Sequence, residues 1–170
     1  MANKLKPIIR PVLVVILLIV GTILFSIDYS RPQPSINTPT VKSTTPEPKP
    51  PTVKSLYKRT NEEREKRGIA PLKLDTRLNQ SAKMKAEDMN ENDYYGHIDR
   101  KGRNSNHFLR STGVECQYTS ENLDMFYSPD PIADFMASKP HKAAILDPRY
   151  ESVGFGVVNN YVVQHFCDEY

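Results

Sequence analysis

Hydrophobic positions along this chain fall into three regimes. From Val12 to Leu24 they form a run free of charge, with Lys4, Lys6 and Arg10 before it and Ser26 interrupting it ahead of Ile27. The stretch from Pro11 to Ile27 is slightly short of the ~20 residues that span a bilayer core. Ile8 and Ile9 complete the span when Arg10 snorkels to the interface. The pattern predicts one transmembrane signal anchor over 11–27 behind a basic cytoplasmic flank over 1–10. By the positive-inside rule, everything after Asp28 lies outside the membrane. A cleaved signal peptide and a secreted product form the alternative, but no small-x-small cleavage signal follows Phe25.

Across 28–54 the hydrophobic positions nearly vanish. From Arg31 to Lys54, seven of 24 residues are proline and seven more are serine or threonine, with only Ile36, Val41 and Val53 otherwise apolar. Such a segment cannot bury enough surface to offset its chain entropy, so it reads as an extended, disordered stalk.

From Ser55 onward the pattern becomes periodic, which places the folded domain at 55–170. Leu56, Thr60, Glu63 and Arg67 lie along one side of a helix over 56–67, with Gly68 as its stop. Asp75 is placed to cap a second helix reaching Glu91, whose stripe is Leu78, Ala82, Ala86 (or Lys85) and Met89. Short helices are expected over 105–111 and 130–138, the latter with Pro131 in its first turn. Three runs read as strands, over 114–123, 152–158 and 161–167, the last two joined at Asn159-Asn160. Helices followed by strands mixed with short helices imply an α+β fold around a small antiparallel sheet. The charges of Asn61-Glu62-Glu63-Arg64 read as the solvated face of the first helix, and Ala82 and Ala86 as close-packing positions.

Charge sharpens this division. Of 23 basic and 20 acidic residues, seven and two precede Ser55, which leaves 16 against 18 in the folded part. The basicity therefore belongs to the membrane flank and stalk, where it suits anionic headgroups. A near-neutral domain argues against nucleic acid as a partner.

The side chains able to hold a divalent metal or move a proton near neutral pH are His97, Glu121 and His141. His107, beside Phe108, reads as a surface or cap residue, and His165 as a sheet-face residue rather than a ligand. Cys116 and Cys167 are the only cysteines. An even pair in an exported domain favours a disulfide, with buried free thiols as the alternative.

The ordered set Asn61-Glu62-Glu63-Arg64, Gly68, Pro71-Leu72, Ala82, Ala86-Glu87-Asp88-Met89, Gly96-His97, Glu121-Asn122, Ser138, His141, Ile145-Leu146 and Val153-Gly154-Phe155-Gly156 resembles a bacterial CAP (SCP) domain. That superfamily includes cysteine-rich secretory, antigen 5 and pathogenesis-related proteins. The resemblance covers roughly 55–166 and implies an α-β-α sandwich. It also implies a cleft in which two histidines, here His97 and His141, join acidic residues, and the histidines can bind Zn²⁺ or another divalent cation. Glu121 matches one acidic position. The second would fall near Ser138, with Asp134 a loose substitute. Phe135 stands where tryptophan is common, and Ala144 replaces the usual asparagine.

Three readings of the cleft stay open. As a binding module at the cell envelope, it would take a metal, lipid, wall fragment or protein. As a metal-assisted hydrolase of peptide or cell-wall bonds, it would use Glu121 as the catalytic base. As a purely structural hydrogen-bonded cluster, it would hold no ligand.

Overall fold

The computed structural model describes residues 50–125 and 130–168. The anchor expected over 11–27 and nearly all of the stalk lie outside them, and no helix of the described residues is long and apolar enough to cross a membrane.

Helix α1 spans Val53–Glu65 and begins two residues inside the stretch read as linker. A reciprocal cap sets that start: the Thr52 hydroxyl accepts from the Ser55 amide (3.1 Å), and the Ser55 hydroxyl accepts from the Thr52 amide (2.9 Å). Its inner side corrects the expectation of a solvated 61–64 segment, because Asn61 and Arg64 are buried. Asn61 pairs with both backbone groups of Leu72, at 2.8 and 3.0 Å. Arg64 donates to the carbonyls of Ala70, Ile145, Asp147 and Tyr150 at 2.7–3.2 Å. A buried guanidinium is tolerated because its fork is filled by acceptors. Glu62 and Glu63 are partly buried, paired with Lys58 and Arg59 and with Lys66 and Arg67.

Strand β1 (Lys73–Leu74) is followed by α2 (Thr76–Glu91), capped as expected by Asp75, whose carboxylate accepts from the Arg77 amide at 2.7 Å. Next come α3 (Ser105–Ser111), β2 (Thr119–Met125), α4 (Pro131–Ala137), α5 (Lys139–Ile145), β3 (Ser152–Val158) and β4 (Tyr161–Cys167). β2 starts five residues later than its hydrophobic pattern suggested. Val114 is spent packing with Leu78, Leu109 and Cys167, and ladder pairing begins only where Thr119 meets Cys167.

The sheet is mixed rather than purely antiparallel, in the order β1-β3-β4-β2. β3 and β2 both run antiparallel to β4, while the two-residue β1 lies parallel to β3. So short a strand leaves no periodic signal in sequence. Helix α5, where the sequence offered only a motif, forms with Pro140 in its first turn.

Alternation along the strands sends side chains into two layers. Val153, Phe155, Val162 and Phe166 pack with Leu56 of α1, Ile132 and Phe135 of α4 and Ile145 of α5. On the other face, Leu123 and Val163 pack with Ala82, Ala86 and Met89 of α2, while Leu78 meets α3. This is the α-β-α sandwich. Cys116 and Cys167 form a disulfide across 51 positions, tying the approach to β2 to the end of β4. In the chain-entropy model a loop of that size is worth about 4 kcal/mol.

Helix α2 sits on β3 through two glycines. A Cβ on Gly154 would lie 2.1 Å from the Leu78 backbone carbon, and one on Gly156 would lie 2.3 Å from that of Ala82. Backbone cannot swing aside as a side chain can, so the helix itself would have to lift. Gly154→Ala and Gly156→Ala are each expected to cost about 3 kcal/mol. Urea unfolding of each variant checks this, and an unchanged midpoint would show that α2 yields without penalty.

Candidate functional site

β2 is an outermost strand, and its Glu121-Asn122 pair serves both faces of the sheet because consecutive side chains point opposite ways. Glu121 stands in the row Glu121–His165–Gly154 across β2, β4 and β3. Its carboxylate is 4 % exposed and accepts from the His97 Nδ1–H at 2.7 Å and the His165 Nε2–H at 2.9 Å. On the other side of the ring, His165 Nδ1 lies 2.8 Å from the Ser81 hydroxyl on α2, which itself donates to the Leu78 carbonyl at 2.9 Å. The result is a linear arrangement, Ser81–His165–Glu121–His97, that runs from the α2 interface out to solvent.

Asn122 works on the opposite face. Its amide donates to the His141 carbonyl and to Gln164 Oε1, both at 3.1 Å, and Gln164 donates to Thr60 of α1 at 3.1 Å. His141 thus takes its position from β2, and its ring meets the Phe135 ring edge-on at 5.1 Å. The Tyr95 hydroxyl donates to the Leu123 carbonyl of the same strand at 2.7 Å.

The titration properties follow from these contacts. The hydrogen bond to Glu121 raises the His97 pKa above its ordinary value, against opposition from burial. Burial lowers the His141 pKa and nearby His97 adds to the effect, so His141 is the readily neutral imidazole of the two. Burial pushes the Glu121 carboxyl up, but the hydrogen bonds from His165 and His97 overcome it and leave the pKa below the usual carboxylate value.

Two of the three expected site residues, His97 and Glu121, are bonded directly. His141 joins them only closely enough to feel the His97 charge. Asp134 is exposed, and its charge acts on Asp124, whose carboxyl is raised by burial first and by Asp134 second. Ser138 caps α5 without a side-chain hydrogen bond. His107 lies on α3, bonded to Arg103 at 2.9 Å, away from this cluster as expected.

Three further residues support the site, and their part in it was not evident from the sequence. His165 does lie on a sheet face, but that face brings it to Glu121. Ser81 gave no signal. Lys85 was legible as a lysine inside an apolar stripe. It is fully buried, donates to the Tyr94 hydroxyl at 3.0 Å and sits 4.8 Å from the centre of the Tyr94 ring. Tyr94 in turn donates to Asp88. Burial lowers the Lys85 pKa, and the charge of Glu121 is the largest influence opposing that shift.

A divalent ion would find two imidazoles here and little else. Both Glu121 oxygens are occupied by histidines, so Glu121 is a positioning group, and using it as a free base would break one of those bonds. Among the described residues the only cluster of three metal-ligating atoms is Cys116, Cys167 and Asp168, and both of its sulfurs belong to the disulfide. The donor set at His97 and His141 fits a weakly held cation with open positions.

A three-layer α-β-α sandwich with Glu121 bonded to His97 and His165 from its outermost strand defines a recognisable class of domain. The chain belongs to the cysteine-rich secretory protein (CAP) family, whose model matches residues 57–167. Among Bacillus subtilis proteins it is similar to YkwD (29 % identity, 63 % of this chain and 42 % of the relative). It is also similar to YlbC, described as a membrane protein (32 %, 66 % and 33 %). The chain therefore spans less than half of either relative. Solved structures share the fold. An extracellular SCP-domain protein of Bacillus anthracis has a TM-score of 0.65 at 22 % identity, over 69 % of this chain and 40 % of that one. A cysteine-rich secretory protein of Staphylococcus aureus has a TM-score of 0.57 at 25 % identity, over 69 % and 38 %. An outer surface protein of Borrelia burgdorferi has a TM-score of 0.63 at 22 % identity, over 69 % and 92 %.

Glu121→Gln is expected to lower the His97 titration midpoint, read by ring NMR, because the amide keeps an acceptor but loses the charge. An unmoved midpoint would mean that another group sets the His97 pKa. The same shifts give stability two flanks. The contribution of His97, raised above 6.5, is full below that value and fades as pH climbs through its folded pKa. The contribution of Glu121, lowered from 4.5, is lost as pH falls through its folded pKa.

Proposed function

We propose that this chain is a membrane-anchored, extracytoplasmic binding module of the cell envelope, and that its cleft engages a ligand through the His97 and His141 imidazoles. The observation that carries the reading is the way His97 is held. Glu121 fixes its Nδ1–H while the ring, with its side chain 57 % exposed, leaves Nε2 as an acceptor toward solvent. A carboxylate orienting an imidazole from behind is the usual support for an imidazole that binds something at its other nitrogen. His141, easily neutral, supplies a second nitrogen across the free edge of β2.

Zn²⁺ or another divalent cation suits two such nitrogens. Once bound, it would offer open coordination positions to an oxygen of a lipid headgroup, wall fragment or protein. The protein's own part is to orient His97, keep His141 neutral and shield Glu121 from solvent. The location rests on the apolar run over 11–27 and on relatives described as membrane, extracellular or outer surface proteins. Neither feature calls for bond-breaking chemistry.

Calorimetric titration of the full-length chain in nanodiscs with Zn²⁺ tests the cleft. The expected result is micromolar binding that His97→Ala/His141→Ala abolishes. Binding should also weaken as pH falls through the His97 pKa, because the ion must displace that proton. A folded wild-type chain that binds no Zn²⁺ would remove the cation and leave direct recognition of a lipid or protein.

A further inference from the structure

Helix α3 and the turn before it border a polar cavity of about 440 Å³, lined by Gly102, Arg103, Asn104, His107, Arg110 and Ser111. Among the described residues its wall holds no carboxylate and no apolar side chain, and none of its members belongs to the cluster around Glu121. Arg103 is fully engaged. Its Nε donates to the buried Asp99 carboxylate, one terminal nitrogen lies 3.7 Å from Asp88, and the other donates to His107 Nε2 at 2.9 Å. A guanidinium has only donors, so Nε2 is the acceptor and the ring hydrogen sits on Nδ1. The ring also meets Phe108 edge-on, with centroids 5.4 Å apart. His107 is therefore held in one tautomer and one orientation, and its Nδ1–H has no described partner.

Arg110 is the opposite case. It is exposed, and its guanidinium has no ion pair or hydrogen bond among the described residues. Glu115 shares a neighbouring cavity with Arg110 but does not line this one. His107 and Arg110 stand three residues apart on α3, which puts them on one side of the helix. Asn104 accepts with its side-chain oxygen from the Asn106 amide at 3.1 Å, so its NH2 group is a further donor. The Ser111 hydroxyl donates to the His107 carbonyl at 2.8 Å, which leaves its oxygen as an acceptor. Asp99 and Asp88 already balance the Arg103 charge, so Arg110 supplies the uncompensated one. A lone guanidinium among neutral donors suits a singly charged oxyanion with several acceptor oxygens. The volume lies within the range of small-molecule sites, and the polar wall calls for hydroxylated rather than apolar substituents.

We propose that this cavity binds a phosphodiester joining small hydroxylated groups. Arg110 pairs with the phosphate, the His107 Nδ1–H and the Asn104 NH2 donate to it, and Ser111 accepts from a ligand hydroxyl. Arg103 is a positioning residue that acts through the His107 ring. The same chemical group occurs in soluble polyol phosphates and in the headgroups of anionic glycerolipids. The site is independent of the His97–His141 cleft, and either can fail without the other.

NMR of the full-length chain in maltoside micelles, which contain no phosphate, tests this. Glycerophosphoglycerol is titrated in one arm, and phosphatidylglycerol is mixed into the micelles in the other. The His107 ring and Arg110 Nε–H signals are expected to shift saturably in at least one arm. A response to glycerophosphoglycerol supports the proposal with a soluble ester as the source, and a response to phosphatidylglycerol alone supports it with a lipid headgroup. Arg110→Gln should weaken the binding about tenfold or more, through loss of charge-assisted hydrogen bonds. Lys54→Gln removes the same charge from the exposed side of α1 and should leave the affinity unchanged. Silence in both arms would overturn the proposal. So would shifts that survive Arg110→Gln or weaken equally with Lys54→Gln, because those would report only a general attraction between opposite charges.

Discussion

Helix α2 lies flat on β3 only because positions 154 and 156 carry no side chain. That contact brings backbone against backbone, closer than any Cβ permits, and it sets the depth at which α2 rides over the whole sheet. Gly154 occupies the same cross-strand row as His165 and Glu121. Where the helix touches the glycine, its next inward residue, Ser81, therefore falls within hydrogen-bond reach of His165. One turn further along, Lys85 is carried into the interior near Glu121. The polar site is thus a consequence of a steric fact two strands away.

The other face is organised by polar groups that are buried and satisfied. Arg64 gathers three carbonyls from the end of α5 and the segment after it, and a fourth from Ala70 after α1, while Asn61 closes on Leu72. These bonds hold α1 and α5 in place, and Asn122 then reaches the His141 carbonyl. Two adjacent residues of one strand, Glu121 and Asn122, link two separate layers: one bonds the His97 ring and the other the His141 carbonyl. Their adjacency works through the two-residue period of a strand, which gives each layer one member of the pair.

Much of this was legible in the residues. The apolar stripe of α2, its Asp75 cap, the Asn159-Asn160 hairpin and the proline start of α4 all follow from local rules, and each appears where those rules place it. His97 and Glu121 were identifiable from residue type and family pattern. His165 was legible as a strand residue but not as a partner of Glu121, since which strands pair, and in which register, depends on contacts between positions 44 residues apart. Arg64 misled because a charge on an amphipathic helix usually faces water. Only the arrangement of distant carbonyls shows that this one does not.

Apart from β1, α5 and the start of β2, the sequence by itself determined the elements, the separation of an apolar run and a proline-rich stretch from a periodic domain, and the residue types available to the site. Those properties depend on neighbours within a few positions, so the chain carries them wherever it goes. The tertiary structure alone decided that Glu121 spends both oxygens on histidines, that Lys85 and Arg64 are buried, and that β1 turns the sheet from antiparallel to mixed. Each of these depends on which distant segments meet, and long-range packing, through glycine contacts and satisfied buried polar groups, selects that arrangement.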